Sequence, residues 1–437
     1  MRYSVSSRTL PISEVQTECE SEGAGNISVA KAVKQVFCEL NALSVAALQA
    51  KGLIVKPLKQ VKTAQLAVPE VSAIDLMNPV DDVVATEGMG LNVALLIQDF
   101  RSAFTPPVTG VGLTVAVLDT GIRKTHEAIG ADKVVYEEDF SGSGSVDDLY
   151  GHGTAVAYLI AGGEDGDQNS GIAPGAVLMN IKCLGDDGEG TDEMVINAIS
   201  KVCDLVQDAI NASYPKTHPD YPNLINLSVG GEDDGEEDDP VKLACKTARE
   251  DYGLQIVAAA GNSGPAAGSI LLPATAIDVI AVGGIRSDVF DIWLNSARGP
   301  TPDGLVKPDF VAWCTDIYAA GHTADDSYVL KTGTSFAAPI LSGLIGLLWE
   351  AGRRVNGDLW YVDWYDVRNI GWLVAGKAKD APLAKDNTWG YGLPAISKMM
   401  EGAGYKPSTD MTQIMETMIP MMMMMFMIII PIKMLKG

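Results

Sequence analysis

The sequence predicts an α/β protein: a doubly wound, mostly parallel sheet flanked by helices, preceded by a small α+β unit. Two observations carry the main domain. Between residues 111 and 403 the apolar runs LTVAVLD, AVLMNIKCL, LINLSV, LQIVAAAG and DVIAVGGI are nearly unbroken, as strands buried on both faces of a parallel sheet must be. Helical runs separate them, namely GTAVAYLIAG, DEMVINAISKVCDLVQDAI, DPVKLACKTAREDYG and SFAAPILSGLIGLLWEAG. A third observation sets residues 1–63 apart, because they carry strand and helix signals of their own on a chain too short to bury much core alone.

In residues 1–63, RYSVS alternates like a strand, NISVAKAV and QVFCELN follow as two more, LSVAALQAKG reads as a helix closed by glycine, and LIVKPLKQV as a fourth strand. Residues 64–110 read as a linker and lead-in, with prolines at 69, 79, 106 and 107 around a helical run, LNVALLIQDF. Residues 404–437 form a methionine-rich tail whose uncharged run MIPMMMMMFMIIIPI would reach only ~22 Å as a helix, against a hydrocarbon core of ~30 Å. That run suits membrane association better than a full span.

The 437 residues are 47% hydrophobic, enough for a large core, and the formal net charge of -24 argues against a nucleic-acid partner, whose phosphates it would repel. The six cysteines are scattered among apolar neighbours with no C-x-x-C pair, and read as buried thiols with no metal site. The opening MRYSVSSRTLPISE lacks the apolar stretch of a secretory leader. The expected location is therefore cytoplasmic or at a membrane through the tail, with secretion only if the start lies further upstream.

Four short motifs carry chemistry. Asp119 ends the strand LTVAVLD; His152 stands between Gly151 and Gly153 where a helix starts; Asn262 follows LQIVAAA; Ser335 opens a helix that carries Pro339 close to its start. Each has a bland reading, as turn former, packed histidine, turn asparagine or N-cap serine. Together they meet one chemical demand. A serine hydroxyl needs a base, the base needs a carboxylate to fix its tautomer, and the developing oxyanion needs a preorganised donor. Two acidic stretches are set aside: GEDDGEEDDP at 231–240 reads as a solvated loop, and EDGDQN at 164–169 offers oxygen ligands for calcium without full EF-hand spacing.

The stretches VAVLDTGI, GHGTAVA, AAAGNSGP and GTSFAAPILSG, in the chain order Asp, His, Ser, resemble the subtilisin-like (subtilase) serine peptidases. KPDFVAWCTDIYAA resembles a further family segment, with Trp313-Cys314 where Pro-Gly is expected. The resemblance implies a subtilisin-like catalytic domain in which Asp119 orients the base, His152 is the general base and acid, Ser335 is the nucleophile and Asn262 is an oxyanion donor. No cofactor is then required for catalysis, and no calcium site is assigned. It also implies substrate-binding residues Gly188, Gly190, Leu227, Ser228, Val229, Gly230, Ala259 and Gly261, and polypeptide substrates. The small pocket-wall residues lead to an expected medium or large apolar P1 side chain. Asp186, Asp187 and Glu189 lead to an expected basic residue at P2 to P4.

Residues 1–63 resemble the family's ferredoxin-like inhibitory propeptide, so the chain is expected to be a self-processing zymogen with a new N-terminus between Lys62 and Gly88. The alternatives are a catalytically silent homologue that binds peptides and an acyl hydrolase of small esters.

Overall fold

The structure is a computed structural model that describes residues 1–63, 83–84, 101, 104, 106–163, 170–357 and 384–394. The linker helix LNVALLIQDF, the EDGDQN stretch and the methionine-rich tail lie outside the described residues.

The N-terminal unit runs β1 (Arg2–Ser6), α1 (Ile12–Ser21), β2 (Gly25–Ala30), β3 (Gln35–Glu39), α2 (Ala42–Ala50) and β4 (Ile54–Pro57). Its strands form an antiparallel sheet in the order β2-β3-β1-β4, the ferredoxin-like arrangement. The helix α1 is absent from the sequence reading. In ISEVQTECES only Val15 and Cys19 are buried, one helical turn apart, so the apolar stripe is too thin to announce itself. The expected fourth strand LIVKPLKQV is two strands. Pro57 closes β4, and β5 (Gln60–Thr63) leaves the unit altogether to pair with the main domain.

After a short β6 (Val83–Val84), the main sheet is built from β7 (Thr114–Asp119), β8 (Val134–Asp139), β9 (Val177–Lys182), β11 (Leu224–Leu227), β13 (Gln255–Ala259), β14 (Ile280–Ile285) and β15 (Phe310–Trp313). All seven are parallel, in the order β15-β14-β13-β11-β7-β9-β8. The two edge strands were not expected from sequence: VVYEED is half polar and half-buried along its length, as a strand with one neighbour and one covered face can be. A small hairpin of β16 (Ile317–Ala320) and β17 (Tyr328–Lys331) takes β6 as its third strand.

Side-chain alternation sorts the core into two layers. Val115, Val117, Val257 and Val282 face α3 (His152–Ala161) and α6 (Thr334–Asn356), while Ala116, Leu118, Ile225 and Ile256 face α4 (Asp192–Asn211) and α5 (Pro240–Glu250). Among the described residues α6 is the only helix long and apolar enough to cross a membrane, and that stretch is wholly buried in this core.

The N-terminal unit docks on the first turns of α4 and α5. Arg2 and Ser28 bond the Glu193 carboxylate, and the Gln35 amide donates to Pro240 O at 2.7 Å. The Lys59 N–H donates to Asp192 Oδ2 at 2.8 Å. The acidic run 231–240 is not the free solvated loop expected from its charge. Lys56 meets Asp238 at 2.7 Å, and Lys59 meets Asp234 at 3.0 Å and Asp239 at 3.2 Å. Asp239 also caps α5 through the Val241 and Lys242 N–H groups.

Burial under this contact lifts the Asp192 carboxyl to about 7; the Lys59 N–H and ammonium oppose the shift, and Asp239 and Asp234 add to it. A carboxyl raised in the docked state holds its proton more tightly there. Its contribution to docking is complete below its ordinary value near 4 and is lost as pH rises to about 7. Asp192→Asn should therefore flatten the fall in melting temperature between about pH 4 and 7, measured against wild type across that window. Parallel curves would mean that Asp192 does not titrate with docking.

Candidate active site

In a doubly wound sheet the crevice opens at the carboxyl ends of the strands where the chain reverses its direction of growth. Here that point is β7, with β9 on one side and β11 on the other. Its last residue, Asp119, is fully buried, and its Oδ1 lies 2.7 Å from His152 Nδ1. The same oxygen accepts the Thr120 N–H at 2.7 Å.

His152 opens α3 from Gly151, which stands in the left-handed region at φ 86°. Glycine offers that helix start no side-chain cap, and a carboxylate from the preceding turn supplies one. Asp148 accepts the N–H groups of Tyr150, Gly151 and Thr154 and the hydroxyls of Thr120 and Thr154. Gly153 is dictated by close approach: a Cβ there would stand 2.2 Å from Gly121 O and 3.1 Å from Asp119 Cβ. Lys182, wholly buried at the end of β9, donates to Thr120 O and lies 3.0 Å from Asp186.

Ser335 sits in the first turn of α6, one residue later than the helix's first residue, Thr334. Its neighbour Phe336 brings the histidine and serine helices together, with the Phe336 and His152 rings 5.4 Å apart. The Ser335 hydroxyl donates to Ser228 O at 3.2 Å, the Ser228 hydroxyl donates to Ser335 O at 2.8 Å, and the buried His152 Nε2 has no hydrogen-bond partner. Asn262 follows β13, and its Oδ1 accepts both the Thr334 N–H at 2.9 Å and the Thr334 hydroxyl at 2.8 Å. That clamp aims the amide N–H₂ away from Thr334. The Thr334 hydroxyl oxygen also accepts the Gly261 N–H at 3.1 Å. The Trp313-Cys314 substitution is accommodated: Cys314 O accepts the Gly333 N–H at 2.8 Å, at the head of α6.

The expected substrate-binding residues divide. β5 lies antiparallel between β10 (Glu189–Thr191) and β12 (Val229–Gly231), with Val61 opposite Gly190 and Gly231, Lys62 opposite Glu189 and Gly230, and Thr63 opposite Val229. Thr63 N–H donates to Gly188 O at 3.1 Å. Gly188, Gly190, Val229 and Gly230 thus hold an extended chain, and Ser228 meets the serine. Gly261 lies at the Thr334 clamp. Leu227 and Ala259 are fully buried inside the parallel sheet, paired with Leu118 and Ala258 and with Val282, so they support the walls from within. Of the three acidic residues on this edge, Asp186 is paired with Lys182 and Asp187 accepts the Glu189 N–H, which leaves Glu189, 2.5 Å from Lys62, as the one that meets the bound strand.

Asp148, Thr334 and Lys182 were not flagged by sequence reasoning. No motif spacing points to them: Thr334 and Lys182 act on backbone groups that only the folded chain brings near, and Asp148 bonds its own turn and the Thr120 hydroxyl.

Gly153→Ala should cost roughly 1–3 kcal/mol, since backbone must shift to admit the methyl. Denaturant unfolding measures it, and a neutral change would mean that Gly121 relaxes freely.

Residues 110–392 match the profile described as the subtilase family. The chain is 31% identical over 275 residues to the serine protease AprX of Bacillus subtilis (strain 168), covering 57% of this chain and 60% of that one. It is likewise 31% identical over 282 residues to a subtilisin of Bacillus sp. (strain TA39), covering 60% and 63%. Over 246 residues it is 31% identical to the membrane-bound transcription factor site-1 protease of Mus musculus, covering 55% and 21%. The chain thus spans about three-fifths of the length of the first two relatives. With the family profile matched across the parallel sheet and all four motif residues gathered at its carboxyl edge, this chain belongs to the subtilase family.

Proposed function

We propose that the protein is a serine endopeptidase made as a self-processing zymogen. The observation that carries this reading is the position of β5: the N-terminal unit feeds its last described strand between β10 and β12, in register, toward Ser335. Main-chain pairing of this kind holds any extended polypeptide and is indifferent to most side chains. A small ester has no strand to offer.

In the proposed reaction His152 Nε2 takes the proton of Ser335 Oγ as that oxygen attacks the carbonyl carbon, and Asp119 stabilises the imidazolium through Nδ1. The oxyanion is met by the Asn262 amide and by the Ser335 N–H, which lies in a helix turn whose N–H groups lack intrahelical acceptors. His152 then protonates the leaving amine, and water repeats the sequence on the acyl-enzyme. For this the serine hydroxyl must turn from Ser228 O to His152, a rotation about one side-chain bond.

The peptide-binding alternative rests on the unbonded His152 Nε2 and the turned Ser335 hydroxyl. A fluorophosphonate separates the two. An active enzyme is labelled on Ser335 and Ser335→Ala is not, whereas a silent homologue leaves both unlabelled.

Processing tests the zymogen half. Thr63, the last described residue of β5, pairs with Val229, and the new N-terminus is expected between Lys62 and Gly88. Wild type should lose its N-terminal unit by a cut within that window, read by intact mass, while Ser335→Ala stays full length. Equal trimming of both in a protease-free preparation would remove self-processing.

Asn262→Ala should lower kcat by about 10² to 10³-fold with little change in KM, since the lost donor acts on charge that develops only in the transition state. Near-normal kcat would reduce Asn262 to a clamp for Thr334.

A further inference from the structure

We infer that Leu271 closes the floor of the primary specificity pocket, so that the peptidase accepts only a small side chain (hydrogen, methyl or hydroxymethyl) on the residue whose carbonyl is attacked. The inference rests on the peptide-cleaving reading above and narrows its substrate class.

The location of that pocket follows from the groups around the attacked carbonyl. With its oxygen at the Asn262 amide and its carbon at Ser335 Oγ, the residue's own side chain must leave between the segment that follows Ser228 and the segment that precedes Asn262. Those segments are Val229–Gly230 and Ala260–Gly261. Two glycines facing one another across a slot would leave room for a large apolar group, which is why small wall residues suggested a medium or large side chain.

The structure fills that room from a third segment. A Cβ on Gly230 would stand 2.7 Å from Leu271 Cδ1 and 3.1 Å from Leu271 Cβ, and a Cβ on Gly261 would stand 2.9 Å from Leu271 Cγ and 3.0 Å from Leu271 Cδ1. The leucine therefore packs directly on both glycine backbones at once.

It is also held there. The Leu271 N–H donates to Ala260 O at 3.0 Å, and Leu271 O accepts the Thr275 N–H at 3.2 Å. Its neighbour Leu272 exchanges both backbone bonds with Gly231, at 2.8 and 3.0 Å. Both walls are thus tied to the 271–272 segment, which fixes the Leu271 backbone between them, and the side chain is held by its packing on the two glycines. Leu271 remains partly exposed, as the floor of an open slot would be.

A separate observation agrees. In the sequence, the docked strand Gln60–Thr63 is followed by Ala64, a residue of the size the slot admits.

The experiment has two arms on the full chain. In the first, the peptides Gln-Val-Lys-Thr-Ala and Gln-Val-Lys-Thr-Phe, each carrying a chromogenic amide, are compared by kcat/KM. Wild type should favour alanine by at least about 10-fold, and Leu271→Gly should move the ratio toward phenylalanine by about 10 to 100-fold, with Leu271→Ala between them. In the second, Ser335→Ala protein is followed by hydrogen exchange at the Gln60–Thr63 amides, which reads docking without catalysis. Adding Ala64→Phe should speed exchange there, and adding Leu271→Gly to that variant should restore protection. A wild-type preference for phenylalanine, a ratio unmoved by both Leu271 variants, or exchange insensitive to Ala64→Phe would overturn the assignment. If wild type cuts neither peptide and takes no fluorophosphonate while the exchange coupling holds, the pocket assignment stands and the peptidase reading falls.

Discussion

A parallel strand buried on both faces has no side chain to spare for solvent, so polar chemistry must collect where the strands end. In this protein the constraint acts through β7. Its neighbours β9 and β11 arrive from opposite sides of the chain's path, and the loops beyond their carboxyl ends diverge to leave a crevice. Asp119 is the last residue of β7, Lys182 ends β9, and Ser228 follows β11. Strand pairing therefore sets how near the carboxylate, the substrate edge and the serine helix can come before any side chain interacts.

Around that frame the polar groups are held by others that do no chemistry. Asp148 gathers three N–H groups and two hydroxyls at the start of the histidine helix, where glycine cannot cap. Thr334 spends its N–H and hydroxyl on Asn262 and Gly261. Buried polar atoms left without partners cost about 1–3 kcal/mol each, so such networks fix one arrangement strongly. The rigidity also explains why one leucine can govern a pocket: walls tied by backbone bonds cannot yield to a larger guest.

The acidic balance of the chain gains a local meaning from the docked N-terminal unit. Lys56 and Lys59 lie among Asp234, Asp238 and Asp239, and Arg2 meets Glu193. The side chains in these pairs range from buried (Asp239) to half-exposed (Asp234), and solvent screening limits the exposed ones to at most about 1 kcal/mol each. Specific attachment rests more on the apolar contact of Ala30, Ala32, Val33, Phe37 and Val61 with the helix layer, and on the backbone pairing of β5.

The sequence by itself determined the parallel sheet, its four major helices and the four motif residues, because unbroken apolar runs, helical periodicity and glycine-flanked polar residues are local signals. Three things waited for the tertiary structure. The edge strand β8 and the helix α1 bury too little to show a pattern, and β15 is buried but only 4 residues long. The split of LIVKPLKQV depended on two different sheets competing for one chain, which no local propensity records. Thr334 reaches Asn262 and Gly261, 72 and 73 residues away, Leu271 packs on Gly230 and Gly261, Asp148 joins its own turn to Thr120, and a leucine that fills a slot is indistinguishable in sequence from one that fills the core. Contact across the fold decided their roles.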